Sequence, residues 1–472
     1  MPPPLARRQV GAAAVTVAVV LTGVSNRYGF ERDELYFAML RPARGYVDQP
    51  PLTPLLAQLL GGAQPWLLRV PATLTAAASV VIVGLLAREL GGGRRAQAWT
   101  VWGYAGTSAL LLFGHVLITA TFDLVSWPLV CLLVVMAERR AEPVWWVWAG
   151  AVAGVSTYNK LLIVWLMLGL AAGLLTVGPR SRLRSPAVIG GALVALVLAI
   201  PNLVYQAGHG WPQVAMGRAL SDNNAGEVRW FMWVLLVLLF GPPLTVIWVA
   251  GLRALWRSAE TRFLVIAFGV VLLLTFVSGA QPYYPAFLLP LPFAAGVVAL
   301  VEPLDHSLIW RGLFALNAAV SAVISLPLVP VGVLGRTPVP ALNLTAQDSV
   351  GWPAYAGQVA DVYDGLHDPT AVVVTSNYGE AGAIAHYRPG VPVFSAQNAL
   401  ADQARPGDGA SVAVVVGGQV PLARTLFDSC VDVTRLHNGV GVDNEEEGQP
   451  VAVCRRPRLP WPALWDRLRH LD

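Results

Sequence analysis

Residues 9–25, QVGAAAVTVAVVLTGVS, are followed directly by the polar and aromatic stretch 26–37, NRYGFERDELYF. The first stretch is long enough to cross the apolar core of a bilayer, which takes about 17–25 residues. Its basic start resembles a signal peptide, but the small residues of a cleavage site do not follow it. The sequence therefore predicts a retained first membrane span with a polar segment immediately after it.

The composition of the chain indicates a polytopic membrane protein. Of 472 residues, 55% are hydrophobic and 13% are charged, whereas about 25% are charged in an average soluble domain. Ten further apolar runs have spanning length. They lie near residues 68–88, 97–114, 117–137, 143–158, 161–178, 186–205, 229–250, 262–279, 283–301 and 311–333. We therefore expect about eleven transmembrane helices.

The arginines predict the orientation of these spans. If eleven spans are counted, the arginine clusters at residues 7–8, 88–95, 139–140, 180–184 and 253–262 all fall on one side. Short loops rich in Lys and Arg face the cytoplasm, so the N-terminus is expected there. The net charge of +4 follows from this arrangement, and we do not read it as a sign of nucleic-acid binding.

The chain changes character after about residue 337. Strand-like runs at Ala371–Thr375, 411–416 and 451–454 flank helix-like stretches such as 354–366, a pattern typical of an α/β domain. We therefore divide the chain into a transmembrane domain, residues 1–337, which includes an outer loop at 26–67, and an extracytoplasmic α/β domain, residues 338–472. Cys430 and Cys454 could pair there, because disulfides persist outside the cytosol.

The outer loop contains carboxylates in apolar company. Asp33 and Glu34 precede Tyr36 within DELYF, and Asp48-Gln49 follows in GYVDQPPL. Such carboxylates can simply solvate a loop. A partly desolvated carboxylate can instead act as a general base on a hydroxyl group.

Polar residues also interrupt the predicted spans. Asp123 lies one to two turns inside its span, at a depth where an ionisable residue is costly and indicates function. Lys160, the only lysine of the chain, and the pair Tyr283-Tyr284 lie near the outer ends of theirs. Packing hydrogen bonds, snorkelling and interfacial anchoring are the structural alternatives for these residues. His115 is the weakest candidate, since an interfacial histidine is usually only a polar tip.

Taken together, these motifs resemble the GT-C membrane glycosyltransferases of family 39. The resemblance rests on DE followed by aromatics, on GYVDQPPL, on the Asp of TATFD and the Lys of TYNKLL, and on QPYYPAFLLPLPFAAG. It is strongest for the bacterial branch with the lipopolysaccharide-core galacturonosyltransferases and the lipid A aminoarabinose transferase. SNYGEAGAIAHYRPG and VFSAQN, in the C-terminal part, resemble a periplasmic segment of related proteins.

The resemblance implies a polyprenyl-phosphate-linked sugar donor and a hydroxyl acceptor on a glycan, lipid or protein at the outer face. It assigns Asp33 the role of general base, with Glu34 beside it. A divalent cation could be held by Asp33 or Asp123, and no other cofactor is expected. The residues expected to bind substrate are Tyr36, Asp48, Gln49, Asp123, Lys160, Tyr283, Tyr284, Asn377 and Glu380.

Two departures concern positive charge near the donor phosphate. The aminoarabinose branch has a lysine where this chain has Gln49, and related proteins often carry a lysine before the paired tyrosines, where this chain has Gln281-Pro282. There are two explanations for these missing lysines. Lys160 and arginines such as Arg44 or Arg229 supply the positive charge instead, or the donor differs from that of the related proteins.

Two other classes of function fit the same residues. A transporter or flippase would use intramembrane Asp123 and Lys160 as its substrate path, although such proteins tend to show internal repeats and none is evident here. An inactive sensor would bind a lipid-linked sugar without chemistry.

Overall fold

The computed structural model describes residues 2–279 and 281–472, with the backbone alone at Asn224. The helices in chain order are α1 (Arg7–Val24), α2 (Arg32–Met39), α3 (Leu52–Leu60), α4 (Pro65–Leu68), α5 (Val70–Glu89), α6 (Arg94–Ala105), α7 (Ser108–His115), α8 (Asp123–Arg139), α9 (Val144–Ser156), α10 (Ile163–Thr176), α11 (Pro186–Gly208), α12 (Pro212–Phe240) and α13 (Pro242–Arg257). They continue with α14 (Arg262–Ser278), α15 (Pro290–Ala299), α16 (Val301–Asp305), α17 (Leu308–Ser325), α18 (Val331–Leu334), α19 (Val339–Leu342), α20 (Leu344–Gln347), α21 (Trp352–Gly365), α22 (Tyr378–Tyr387), α23 (Leu400–Gln403), α24 (Val420–Leu426) and α25 (Trp461–Leu468). The strands are β1 (Ala371–Thr375), β2 (Val393–Ser395), β3 (Val412–Val416), β4 (Phe427–Arg435) and β5 (Pro450–Pro457).

The chain folds into two compact units. The first comprises Met1–Ser25 and Arg69–Leu326, and the second comprises Asn26–Leu68 and Pro327–Asp472. The division differs from the one expected from the sequence, because the loop at 26–67 belongs with the C-terminal part and the second unit resumes at Pro327. The sequence did not predict that these two segments form one unit, because they are far apart along the chain and their grouping depends on long-range packing.

Each of the eleven apolar runs contains helix in the structure. Among the residues that the structure describes, four segments could cross a membrane by length and composition alone: Val70–Glu89, Thr119–Arg139, Pro186–Gly208 and Leu308–Ser325. A bent pair of helices raises that number to five, and four further apolar helices are shorter. The chain is therefore a helical membrane protein with a small sheet, while the total of eleven spans stays a prediction.

The run at 229–250 was predicted to be a single spanning helix, but in the structure it is broken into two helices. The axes of Ala225–Phe240 and Pro242–Arg257 meet at a bend of 100°. Gly241 has a φ of +98°, which favours glycine, and Pro242 and Pro243 supply no backbone N–H to continue the ladder. A glycine followed by two prolines ends one helix and starts another in a new direction.

Close helix packing in the first unit depends on small residues. A methyl group on Gly251 of α13 would lie 1.7 Å from the carbonyl oxygen of Pro292, and one on Gly296 of α15 would lie 1.9 Å from that of Ile247. Lipid tails are as apolar as leucine, so helices in a bilayer associate through such close backbone contact. A larger residue at Gly251 or at Gly296 would therefore push α13 and α15 apart.

The second unit is built on one five-stranded sheet with the order β2-β1-β3-β5-β4. β1 runs parallel to β2 and β3, whereas β5 runs antiparallel to β3 and β4. The strands predicted at Ala371–Thr375, 411–416 and 451–454 and the helix predicted at 354–366 are confirmed. Cys430 and Cys454 face each other across β4 and β5 and form a disulfide.

Helix α2, which carries Asp33, begins with a reciprocal cap. The Glu31 side chain accepts a hydrogen bond from the Asp33 backbone, while the Glu34 side chain accepts one from the Glu31 backbone. Two of the N–H groups that every helix start leaves unpaired are thereby satisfied. α2 packs against α22, where a methyl group on Gly382 would lie 2.8 Å from the backbone of Leu35.

Candidate active site

The carboxylate of Asp33 is ordered by a tyrosine from another part of the second unit. Tyr378 donates a hydrogen bond from its hydroxyl to Oδ1 of Asp33, at 3.0 Å. Both Tyr378 and Asp33 are half-buried. The predicted general base therefore keeps access to solvent while one of its oxygens has a fixed direction.

A second tyrosine–aspartate pair lies next to the first. The Tyr36 hydroxyl donates to Oδ2 of Asp48 at 2.9 Å and accepts from the backbone of Ala399 at 3.2 Å. The rings of Tyr36 and Tyr378 are 4.5 Å apart, centroid to centroid. Burial raises the pKa of the Asp48 carboxyl to about 7, against the opposing effect of its hydrogen bond with Tyr36. Two acids and two phenols thus form one cluster, to which three of the predicted site residues contribute.

Three other predicted residues have contacts that maintain the fold. Glu34 is fully buried and caps α2. Asn377 and Glu380 form the same kind of cap on α22, because the Asn377 side chain accepts from the Glu380 backbone at 2.8 Å and the Glu380 carboxyl accepts from the Asn377 backbone at 3.1 Å. Burial, reinforced by the neighbouring Glu446, raises the pKa of Glu380 to about 8.

Gln49 is buried beside Asp48. Its side chain is 6% exposed, and its amide nitrogen has no hydrogen-bond partner among the residues that the structure describes. A buried donor without a partner costs free energy, of the order of 1–3 kcal/mol. Such a donor is suited to a polar group of a bound ligand.

In the first unit, Lys160 lies against two aromatic rings. Its ammonium nitrogen is 4.5 Å from the ring centroid of Tyr284 and 5.6 Å from that of Tyr283. The two rings are perpendicular, with centroids 5.1 Å apart. Ring faces attract cations, and the ammonium also hydrogen-bonds with the Tyr284 side chain. The arrangement can hold a positive charge ready for an anion.

Asp123 completes the cluster of the first unit. It is 2% exposed, it accepts a long hydrogen bond of 3.4 Å from Ser126, and it interacts electrostatically with Lys160. The structure therefore brings together all four site residues that the sequence predicted in this unit. His115 is also buried, at 4% exposure.

Asp33 and Asp123 are the residues predicted to hold a divalent cation. Within the described ranges 2–279 and 281–472, no group of three or more His, Cys, Asp or Glu side chains could hold a metal ion. Asp33 and Asp123, the two carboxylates considered as metal ligands, belong to different units. We therefore derive no step that depends on a metal.

The sequence analysis missed the residues that hold Asp33. Tyr378 was visible within SNYGEAGAIAHYRPG, but its hydrogen bond joins residues 345 positions apart. Gln397 in turn accepts a hydrogen bond from the Tyr378 backbone at 2.7 Å. Arg32, on the same turn of α2 as Asp33, pairs with buried Glu446 at 2.7 Å. Contacts of this kind depend on the tertiary fold and leave no local signal.

A comparison with protein families finds one match over part of the chain. Residues 48–205 match the family described as dolichyl-phosphate-mannose-protein mannosyltransferase. That range contains Asp48, Gln49, Asp123 and Lys160, but it excludes Asp33 and the C-terminal part. None of the curated proteins has a matching sequence.

Solved structures match almost the whole chain. ArnT from Cupriavidus metallidurans, crystallised with undecaprenyl phosphate bound, has a TM-score of 0.59 and 19% identity, covering 94% of this chain and 97% of that one. Its apo structure gives a TM-score of 0.58 at 17% identity, with the same coverage. The arabinofuranosyltransferase AftD from Mycobacteria gives 0.50 at 13% identity, covering 98% of this chain and 41% of that one. At such low identity, the likeness establishes a shared fold.

Proposed function

We propose that this membrane protein, which has the GT-C glycosyltransferase fold, transfers a sugar from a polyprenyl-phosphate donor to a hydroxyl acceptor on the extracytoplasmic face. Its likeness to ArnT, whose crystal structure contains undecaprenyl phosphate, supports the donor class. The disulfide between Cys430 and Cys454 supports an outer location for the second unit, since disulfides are rare in the cytosol.

The reaction is a single displacement at the anomeric carbon. The acceptor oxygen forms a bond to that carbon while the bond from the carbon to the phosphate oxygen breaks. The proton of the acceptor hydroxyl passes to Asp33, and polyprenyl phosphate leaves with the electron pair of the broken bond. General-base assistance of this kind contributes roughly 10²- to 10⁴-fold in rate.

The observation that carries the proposal is the ordered, half-buried carboxylate of Asp33, held by Tyr378 at 3.0 Å. A base needs a defined direction and an open side from which the hydroxyl group can approach. In the first unit, Lys160 is the cation we assign to the phosphate of the donor, because charge develops on that group as it leaves. Asp123 then positions the lysine.

The proposal is tested with Asp33→Asn in native membranes supplied with a panel of radiolabelled polyprenyl-phosphate sugars. Asparagine keeps the shape of the side chain and can still accept from Tyr378, but it cannot take a proton. We expect transfer to fall by about 10²- to 10⁴-fold, with unchanged insertion and abundance. The matched control Asp364→Asn changes an exposed carboxylate of α21 in the same unit and should keep full transfer.

Normal transfer by Asp33→Asn would overturn the assignment of the base. Movement of the labelled lipid across the membrane without any transfer, in the unmodified protein, would instead support the alternative of a flippase.

A further inference from the structure

We propose that the second unit contains a binding crevice for an uncharged, hydroxyl-rich saccharide at the carboxyl ends of β1 and β3. The crevice has a volume of about 260 Å³. It opens where β1 ends before Ser376 and β3 ends before Gly417. The inference deepens the proposed function. It rests on that function in one respect, which is that the saccharide belongs to the acceptor.

The position of the crevice follows from the topology of the sheet. The chain leaves β1 through α22 toward β2 on one side, and it leaves β3 through α24 toward β4 on the other side. The two connections diverge, so a gap opens between the ends of neighbouring strands. In open α/β sheets, ligands bind in the crevice at such a switch point.

The lining is polar throughout. Nine of the ten lining residues carry a polar side chain, and the tenth is Gly418. Without an apolar wall, the crevice does not suit a lipid or a hydrophobic peptide. Without Lys or Arg in the lining, and with the acidic Glu445 and Asp472 present, it does not suit a phosphate. Among the described residues, no three acidic, His or Cys side chains converge on a metal position.

The lining glutamines each have one half of the amide engaged. Gln397 uses its oxygen to accept from the Tyr378 backbone at 2.7 Å. Gln419 directs its nitrogen at His470 at 3.1 Å, and Gln449 directs its nitrogen at the Glu445 carbonyl at 3.1 Å. The other amide atoms are the nitrogen of Gln397 and the oxygens of Gln419 and Gln449. Within the described part of the chain, none of these three atoms receives a hydrogen bond from the protein or donates one to it.

This mixture of donors and acceptors is what a hydroxyl group requires, since each hydroxyl both donates and accepts. Glu380 adds a polar group to the lining. Its Oε2 accepts hydrogen bonds from the Ser376 and Asn377 backbones, and burial raises the pKa of the carboxyl to about 8, which favours its neutral form.

The crevice is linked directly to the base within the same unit. Gln397 lines the crevice and holds the Tyr378 backbone, and the Tyr378 hydroxyl holds Asp33. A saccharide seated on Gln397 would therefore contact the segment that positions Asp33. Acceptor recognition and orientation of the base would share one tyrosine.

A substitution at Gly418 can fill the crevice without disturbing the surrounding structure. A Cβ at Gly418 would meet no atom within 4 Å, and its backbone is not left-handed. A leucine there should fold normally and project into open space at the crevice. Gly407 has the same two properties in an exposed turn away from the lining, so Gly407→Leu is the matched control.

The experiment is saturation-transfer NMR on purified full-length protein in detergent micelles. The probes are lactose and galactose as neutral sugars, with galacturonate, inorganic phosphate and calcium chloride as competitors. We expect saturation of the neutral sugars by the unmodified protein and by Gly407→Leu, and at least fivefold weaker saturation by Gly418→Leu. Asp33→Asn should bind the sugars normally, which separates this inference from the proposed chemistry.

Equal saturation by Gly418→Leu, or none by the unmodified protein, would overturn the inference and leave the transfer reaction untouched. Displacement of the sugars by phosphate or calcium at equal concentration would overturn the choice of an uncharged ligand. In one outcome, Gly418→Leu loses both sugar binding and sugar transfer but still hydrolyses the donor with water. That result would show that the bound saccharide is part of the acceptor. If transfer is fully retained, the crevice does not serve the acceptor.

Discussion

The two units hold their charged groups in opposite ways. In the first unit, Lys160 is surrounded by the rings of Tyr283 and Tyr284. In the second, Asp33 and Asp48 each accept a hydrogen bond from a tyrosine hydroxyl. Ring faces stabilise a cation electrostatically, whereas hydroxyl donors fix the direction of a carboxylate. The first arrangement suits an anionic leaving group, and the second suits transfer of a proton.

Removing the charge of Lys160 should have the largest effect in this comparison. Lys160→Gln leaves a polar side chain of similar length but no cation for the departing phosphate. Loss of one group that stabilises transition-state charge typically lowers kcat by about 10²- to 10³-fold. Transfer measured over a range of donor concentrations should show that loss in kcat, since the charge on the phosphate grows as the bond breaks.

Arg218→Gln is the control for Lys160→Gln. It removes one positive charge from an exposed position on α12 in the same unit and should leave kcat within twofold. A change in KM alone for Lys160→Gln would mean that the lysine binds the donor equally before and during reaction. An unchanged rate would remove Lys160 from the mechanism.

Tyr378→Phe should have a smaller effect and a different signature. Asp33 stays in place, but its Oδ1 loses the hydroxyl donor at 3.0 Å. A hydrogen bond to a carboxylate favours the charged form, so without it the acidic limb of the pH–rate profile should move to higher pH. We expect kcat at pH 7 to fall about tenfold, the size typical of one hydrogen bond to a charged group.

The matched control for that variant is Tyr363→Phe, on α21 of the same unit, which should leave the pH–rate profile unchanged. A proportional loss of activity at every pH in Tyr378→Phe would mean that the tyrosine only supports the fold. A profile identical to that of the unmodified protein would show that Tyr378 does not act on the base at all.

The comparison also shows what the sequence could predict. The helices follow from apolar length, and the parallel strands β1 and β3 follow from short valine-rich runs. The proximity of Lys160 to Tyr283 and Tyr284 could be predicted because each lies near the end of an apolar run. The partner of Asp33 could not be predicted, because Tyr378 is 345 residues away and the pairing depends on α2 packing against α22 at Gly382. The break at Gly241 was readable in the Gly-Pro-Pro run, but its apolar neighbours hid it.

The smallest expected effect concerns the stability of the second unit. Burial raises the pKa of Asp48 and of Asp348 to about 7, and that of Glu380 to about 8. An unfolded chain releases these protons near pH 4. Between pH 4 and pH 8 the folded unit therefore binds more protons than the unfolded one, so its free energy of unfolding must fall as pH rises.

Pulse proteolysis in urea can measure that slope, with peptides from residues 371–416 read by mass spectrometry. The urea midpoint of the unmodified protein should be higher at pH 5 than at pH 8, because in this range the folded unit holds protons that the unfolded chain has released. Glu380→Gln keeps the shape of the cap without a titrating group, so its midpoint should vary less over that range. Asp361→Asn, at an exposed position of α21, should keep the full slope. A midpoint that rises from pH 5 to pH 8 would mean that these carboxyls are charged in the folded unit. The second unit would then hold charged acids, just as the first unit holds a charged lysine.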